Sequence, residues 1–198
     1  MRIFLDMDDV CNTFTPYALY LVGCPVSPTS YEGLPDVGYD IVAGANILLG
    51  EQRFTTEASF WEALGRKTWA DTPRSPLLPW LLATCESVAG RDNIYIATST
   101  TKDPDCLAGK LEWIHKNLPD WLHRQYFITP RKWLLATRDS ILIDDYSVNV
   151  DLFRKHGGNA ITVPAPWNDL WATPREEHIL RNLLGIRATL GLLNCSYL

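Results

Sequence analysis

The chain has 198 residues, 46% of them hydrophobic and 21% charged, which is enough to bury one full core with a modest insertion and too little for two large domains. Its 18 Lys and Arg stand against 23 Asp and Glu, a net charge of -5. The basic residues are scattered except for the Arg131-Lys132 pair, which argues against an extended duplex-binding surface and against an acidic disordered tail.

The first apolar run, Ile3 to Leu5, ends in acids within MRIFLDMDDV, too early for a secretory h-region. Thr13 to Gly23 reads as a helix, 24–38 as a Pro- and Gly-rich loop and Thr55 to Leu64 as a second helix. Ser75 as N-cap and Pro76 as first helical residue open a helix to about Gly90. Runs at Ile94 to Ala97, Tyr126 to Ile128, Ile141 to Ile143 and Ala160 to Val163 follow. Their hydrophobicity is continuous, as in strands buried on both faces. Between them lie a helix after Pro104, with Leu107, Leu111, Ile114 and Leu118 at helical spacing, and another from about Tyr146 to His156, before Gly157-Gly158. The segment from Pro174 to Leu184 reads as a final amphipathic packing helix.

Strands alternating with helices predict an α/β fold, a Rossmann-like parallel sheet with helices on both faces. The long gap between the first two strands predicts an insertion. Residues 1–12 and 88–198 are then the core, and 13–87 a small helical cap. Cys11, Cys24, Cys85, Cys106 and Cys195 contain no CxxC pair, which argues against a disulfide framework or zinc ribbon and suits a reducing cytoplasm. His115, His123, His156 and His178 lack metal-ligand spacing. No run approaches a membrane span.

In a parallel α/β sheet the ligand site lies beyond the carboxyl ends of the strands. Those ends carry Asp6-Met7-Asp8, Thr98-Ser99, Thr129 leading to Lys132, and Asp144-Asp145. Converging carboxylates raise one another's pKa values, a cost that a hard divalent cation such as magnesium removes. Hydroxyls of Thr98 and Ser99 and the Lys132 ammonium could hold a phosphate. Pro130 is expected to mark the first turn of a helix, where a lysine wants an anion nearby; snorkelling of Lys132 to solvent is the alternative.

These stretches, IFLDMDDV, IYIATST, ITPRKW and ILIDD, resemble the four motifs of the haloacid dehalogenase superfamily, in the family's order. The likeness extends to its 5'(3')-deoxyribonucleotidase branch, whose corresponding stretches look like DMDGV, CTS, TRDK and LIDD. The cap is matched only loosely, chiefly at Phe60-Trp61. The resemblance implies a magnesium-dependent phosphohydrolase in which Asp6 attacks phosphorus and Asp8 serves as acid and base. It implies magnesium ligands from the Asp6 carboxylate, the Asp8 backbone carbonyl and one of the acidic pair, with Asp145 preferred and Asp144 held by Lys132 or a metal-bound water. Asp9 departs from the family, which has Gly there; its side chain is expected to turn away from the site.

The implied substrate is a small phosphate monoester, a nucleoside monophosphate above all, with a homodimer left open. Phe14, Tyr17, Phe60, Trp61 and Trp69 could stack a base or form the cap's own core. A phosphatase for sugar phosphates or phosphorylated nucleic-acid ends would share the same core. So would a non-catalytic binding protein, although both Asp6 and Asp8 are present.

Overall fold

A computed structural model describes residues 1–35 and 38–191. Five strands, β1 (Arg2–Leu5), β2 (Ile94–Thr98), β3 (Tyr126–Ile128), β4 (Ser140–Asp144) and β5 (Asn159–Thr162), form one sheet in the order β3-β2-β1-β4-β5. Every pairing is parallel, as the continuous apolar runs predict. Alternate residues of each run serve opposite faces. Ile3, Leu5, Ile94, Ile96, Ile141, Ile143 and Ile161 enter one core, while Phe4, Ala97, Leu142 and Ala160 enter another with Val150 and Phe153.

The helices are α1 (Phe14–Leu21), α2 (Ile41–Leu49), α3 (Glu57–Glu62), α4 (Arg66–Asp71), α5 (Leu78–Ala89), α6 (Pro104–Asn117), α7 (Ser147–Lys155) and α8 (Arg175–Thr189). Phe14, Leu19, Ala45, Phe54, Phe60, Leu64 and Trp69 form the core of the insert. The two chain crossings into the insert pair with each other: Thr13 N donates to Pro73 O at 3.0 Å, Ser75 N donates to Cys11 O at 3.0 Å, and Asn12 bridges Arg74 in antiparallel fashion. α5, counted with the insert on sequence grounds, packs instead against the sheet through Leu78, Leu81 and Cys85. Insert and core meet most closely where α4 crosses α6. A Cβ placed on Gly109 would lie 2.6 Å from the Trp69 Cβ and 2.7 Å from the Arg66 carbonyl, so only glycine allows this backbone approach.

Several helix expectations need correction. α5 begins at Leu78 rather than Pro76, because the Ser75 carbonyl accepts from Leu78 N at 3.0 Å and turns the intervening residues. α2 and α4 lie where no helix is expected; α2 is apolar all round and carries no clear period. In α6 the buried stripe is Cys106, Gly109, Lys110, Trp113 and Ile114, while Leu107 is 45% exposed. Cys11, Cys24, Cys85 and Cys106 are buried free thiols; Cys195 lies outside the described residues. No described helix is long and apolar enough to cross a membrane.

Candidate active site

β1 and β4 are neighbours in register, Leu5 beside Ile143, so Asp6 emerges beside Asp144 and Asp145. Asp6, Asp144 and Asp145 each offer a carboxylate oxygen within 4.8 Å of the others. Lys132 opens a short 3-10 turn, Lys132–Leu135, rather than an α-helix, and its buried ammonium lies 2.7 Å from Asp6 Oδ1 and 2.7 Å from Asp144 Oδ2. It does not snorkel. Asp144 also accepts from Tyr146 N at 2.9 Å and from Asn149 Nδ2 at 3.1 Å. Asp145 is less satisfied: Oδ2 accepts from Trp167 Nε1 at 2.8 Å, while the buried Oδ1 has no hydrogen-bond partner among the described residues.

The titration of these groups follows from the crowding. Burial, countered by Lys132 and aided by Asp144 and Asp8, raises Asp6 from 3.8 to about 7. Burial, then Asp144, Asp9 and Asp6, push Asp145 well above the usual carboxylate range. For Lys132, burial acts downward but the Asp144 and Asp6 carboxylates outweigh it and hold the ammonium above its ordinary value.

Asp8 stands on the other side of the loop that follows β1. Asn12 Nδ2 donates to its Oδ1 at 3.1 Å, and Lys110 Nζ donates to its Oδ2 at 2.5 Å. The same ammonium donates to Thr98 Oγ1 at 2.8 Å and to Ser99 O at 2.6 Å. Thr98 is fully buried and its hydroxyl oxygen is taken by Lys110, so of the expected hydroxyl pair Ser99 is the one that opens onto the cavity beside Asp8. That cavity, of about 220 Å³, runs between insert and core, and Phe14, Trp61, Trp69, Tyr39 and Trp167 are among its walls. Phe14 and Trp69 stack at 4.6 Å with planes 8° apart, and Trp61 continues the stack 5.9 Å from Trp69. Phe60 is not part of the wall: it is fully buried in the insert's core against Phe54 and Trp61.

At the level of sequence, no family model and no curated protein matches the chain. Solved structures do. A haloacid dehalogenase family hydrolase from Deinococcus radiodurans, determined with bound phosphate and sodium, is similar with a TM-score of 0.51 at 14% identity, over 98% of this chain and 97% of that one. A haloacid dehalogenase superfamily hydrolase of subfamily IA, variant 1, from Geobacter sulfurreducens gives a TM-score of 0.50 at 13% identity, over 97% and 96% of the two chains. The chain has the haloacid dehalogenase fold.

Within that fold the four expected strand-end motifs meet in one place, and their carboxylates fit a divalent cation. Asp6, Asp144 and Asp145 face the single ammonium of Lys132. Fully ionised, three negative charges against one positive leave two, the charge a divalent ion neutralises. Asp145 Oδ1, which no described residue contacts by a hydrogen bond, is the atom most in need of such a partner, whereas both oxygens of Asp144 are engaged. The sequence reading missed Lys110, Asn12 and Trp167, each of which positions an acid of the site. Lys110 alone had a signal: it falls inside the helical spacing of Cys106, Trp113 and Ile114.

Proposed function

We propose that the chain is a magnesium-dependent phosphomonoester hydrolase that acts on (deoxy)nucleoside monophosphates through an aspartyl-phosphate on Asp6. The observation that carries this reading is the shared cavity: Asp8 and Ser99 border it on the core side, and the Phe14, Trp69 and Trp61 stack borders it on the cap side. A phosphate held beside Asp6 would leave its ester substituent among flat apolar rings. These rings suit a nucleobase and offer little to sugar hydroxyls.

An Asp6 carboxylate oxygen attacks phosphorus as the bond to the ester oxygen breaks, and Asp8 gives that oxygen its proton. Asp8 then takes a proton from water as the water attacks the same phosphorus. Phosphate leaves, and Asp6 is regenerated as a carboxylate. Magnesium held by Asp6, Asp145 and the Asp8 carbonyl would supply positive charge opposite the phosphate oxygens. Lys132 keeps Asp6 oriented and Lys110 keeps Asp8 oriented.

The test is a magnesium-supplemented screen over nucleoside monophosphates, sugar phosphates and phosphorylated oligonucleotides, with a chelator control and the Asp6→Asn variant. Turnover best on nucleoside monophosphates, lost with chelator and lost in Asp6→Asn with the fold intact, is expected. Better turnover of sugar phosphates would retain the phosphatase and remove the nucleotidase. Failure on every phosphomonoester would favour a binding protein.

A further inference from the structure

Asp9 occupies the least comfortable backbone position in the described chain. It is the one non-glycine described residue with positive φ, at 59°, a conformation that costs a side-chain-bearing residue and that Asp tolerates better than most. It is also buried, and burial, countered by bonds from Thr15, raises its carboxyl to about 6. Such a position would be held more comfortably by glycine, so the carboxylate must be compensated by what it binds.

Its partners all come from one side. Oδ1 accepts from Thr15 N at 2.9 Å and from the Tyr31 hydroxyl at 2.9 Å, and Oδ2 accepts from the Thr15 hydroxyl at 2.7 Å. Thr15 lies in the first turn of α1 and Tyr31 on the irregular segment that follows it. All three donors therefore belong to the insert, while the Asp9 backbone belongs to the loop that carries Asp6 and Asp8. Tyr31 is itself fixed: its ring sits edge-on to Trp167 at 5.9 Å and under the Arg175 guanidinium at 4.5 Å. Trp167 in turn donates to Asp145. Thr15 lines the cavity, as do Leu34 and Pro35 a few residues beyond Tyr31.

We propose that Asp9 is a specificity-determining positioning residue, whose carboxylate holds Thr15 and the Tyr31 segment at a set distance from Asp8 and so fixes the cap-side wall of the substrate cavity. It touches neither phosphate nor metal in this role. The inference rests on the hydrolase reading above for its substrate, though not for its structural content.

The test uses Asp9→Gly, which relieves the backbone while removing the tie, and Tyr31→Phe, which keeps the ring and removes the hydroxyl. In metal-free protein, amide hydrogen exchange across residues 24–35 should quicken in both variants while the sheet keeps its protection. With magnesium, KM for a nucleoside monophosphate should rise about three- to tenfold, the range for one ordinary hydrogen bond, because the lost tie acts on the wall and not on the substrate itself. The kcat on glycerol 2-phosphate, too small to reach the wall, should stay near that of wild type. Asp9→Asn, which keeps an acceptor, should fall between wild type and Asp9→Gly. Unchanged exchange across 24–35 in both variants would overturn the proposal. So would equal losses on both substrates, which would place the effect on the nucleophile loop. If wild type hydrolyses neither substrate, the hydrolase reading fails and the exchange measurement still decides the role of Asp9.

Discussion

Lys110 and Asp8 form an ion pair across the edge of the sheet, with the lysine side chain 2% exposed and the aspartate 21%. The ammonium reaches Asp8, Thr98 and Ser99 from the buried stripe of α6, so it holds the Asp8 carboxylate, the proposed acid and base, to the second strand. Replacing Lys110 with Met keeps the length and apolar stem but removes that hold. The expected result is a fall in kcat of roughly ten- to a hundredfold, the worth of a hydrogen bond between charged groups, with KM changed much less. Lys110→Arg should recover part of the loss. A change confined to KM would mean that Lys110 serves the cavity and not Asp8.

Asp145 supplies the metal prediction. Its Oδ1 is buried without a hydrogen-bond partner among the described residues, whereas Asp151 on α7 is exposed and paired loosely with Arg154 at 3.6 Å. Asp145→Ala should raise the magnesium concentration needed for half-maximal activity far more than Asp151→Ala. Titrating activity against magnesium in the two variants checks it, and equal shifts would mean that only overall charge matters.

The crowded carboxylates also set a pH dependence for the metal-free protein. Asp6 is raised from 3.8 to about 7, chiefly by burial, and Asp145 is pushed the same way. A carboxyl that binds its proton more tightly when folded favours folding at low pH; that contribution is full below the unfolded value and is lost as pH rises through the folded one. With chelator present, Tm should therefore fall between about pH 5 and about pH 8, and magnesium should restore it most at the higher pH. A Tm that rises over this window without metal would contradict the reading of the site.

Trp61 gives the substrate prediction. It ends the aromatic stack on the cap side and is only partly buried. Stacking one base on an aromatic ring is worth about 1 to 3 kcal/mol, so Trp61→Ala should raise KM for a nucleoside monophosphate by roughly tenfold to a hundredfold. KM for a small phosphate without a ring should hardly move. Equal damage to both substrates would make Trp61 part of the insert's core alone.

The sheet was legible because its strands are short apolar runs, four of which lead into the polar residues of the site. Asp6, Asp8, Lys132, Asp144 and Asp145 follow at once from those ends. Lys110 was not legible in the same way, because a lysine on a helix is ordinarily assigned to solvent, and Leu107 and Leu111 offered a competing face. Phe60 and Trp61 are neighbours on the six-residue α3, too short for any period to tell the core-facing ring from the cavity-facing one. Trp167 reaches the site only through the loop after β5, a meeting that no local pattern encodes, whereas Asn12 binds Asp8 from four residues along the same turn, at a spacing that carries no signature of its own.

The approach of α4 to α6 at Gly109 makes the spacing of the cavity depend on a missing side chain. Trp69, one of the aromatic walls, stands directly over that glycine, and Lys110, which holds Asp8, is the next residue. A methyl group added there would act as a shim, pressing on Trp69 and the Arg66 carbonyl until the two helices move apart. Evolution or a protein engineer could thus regauge the width of the cavity at a position that does not line it.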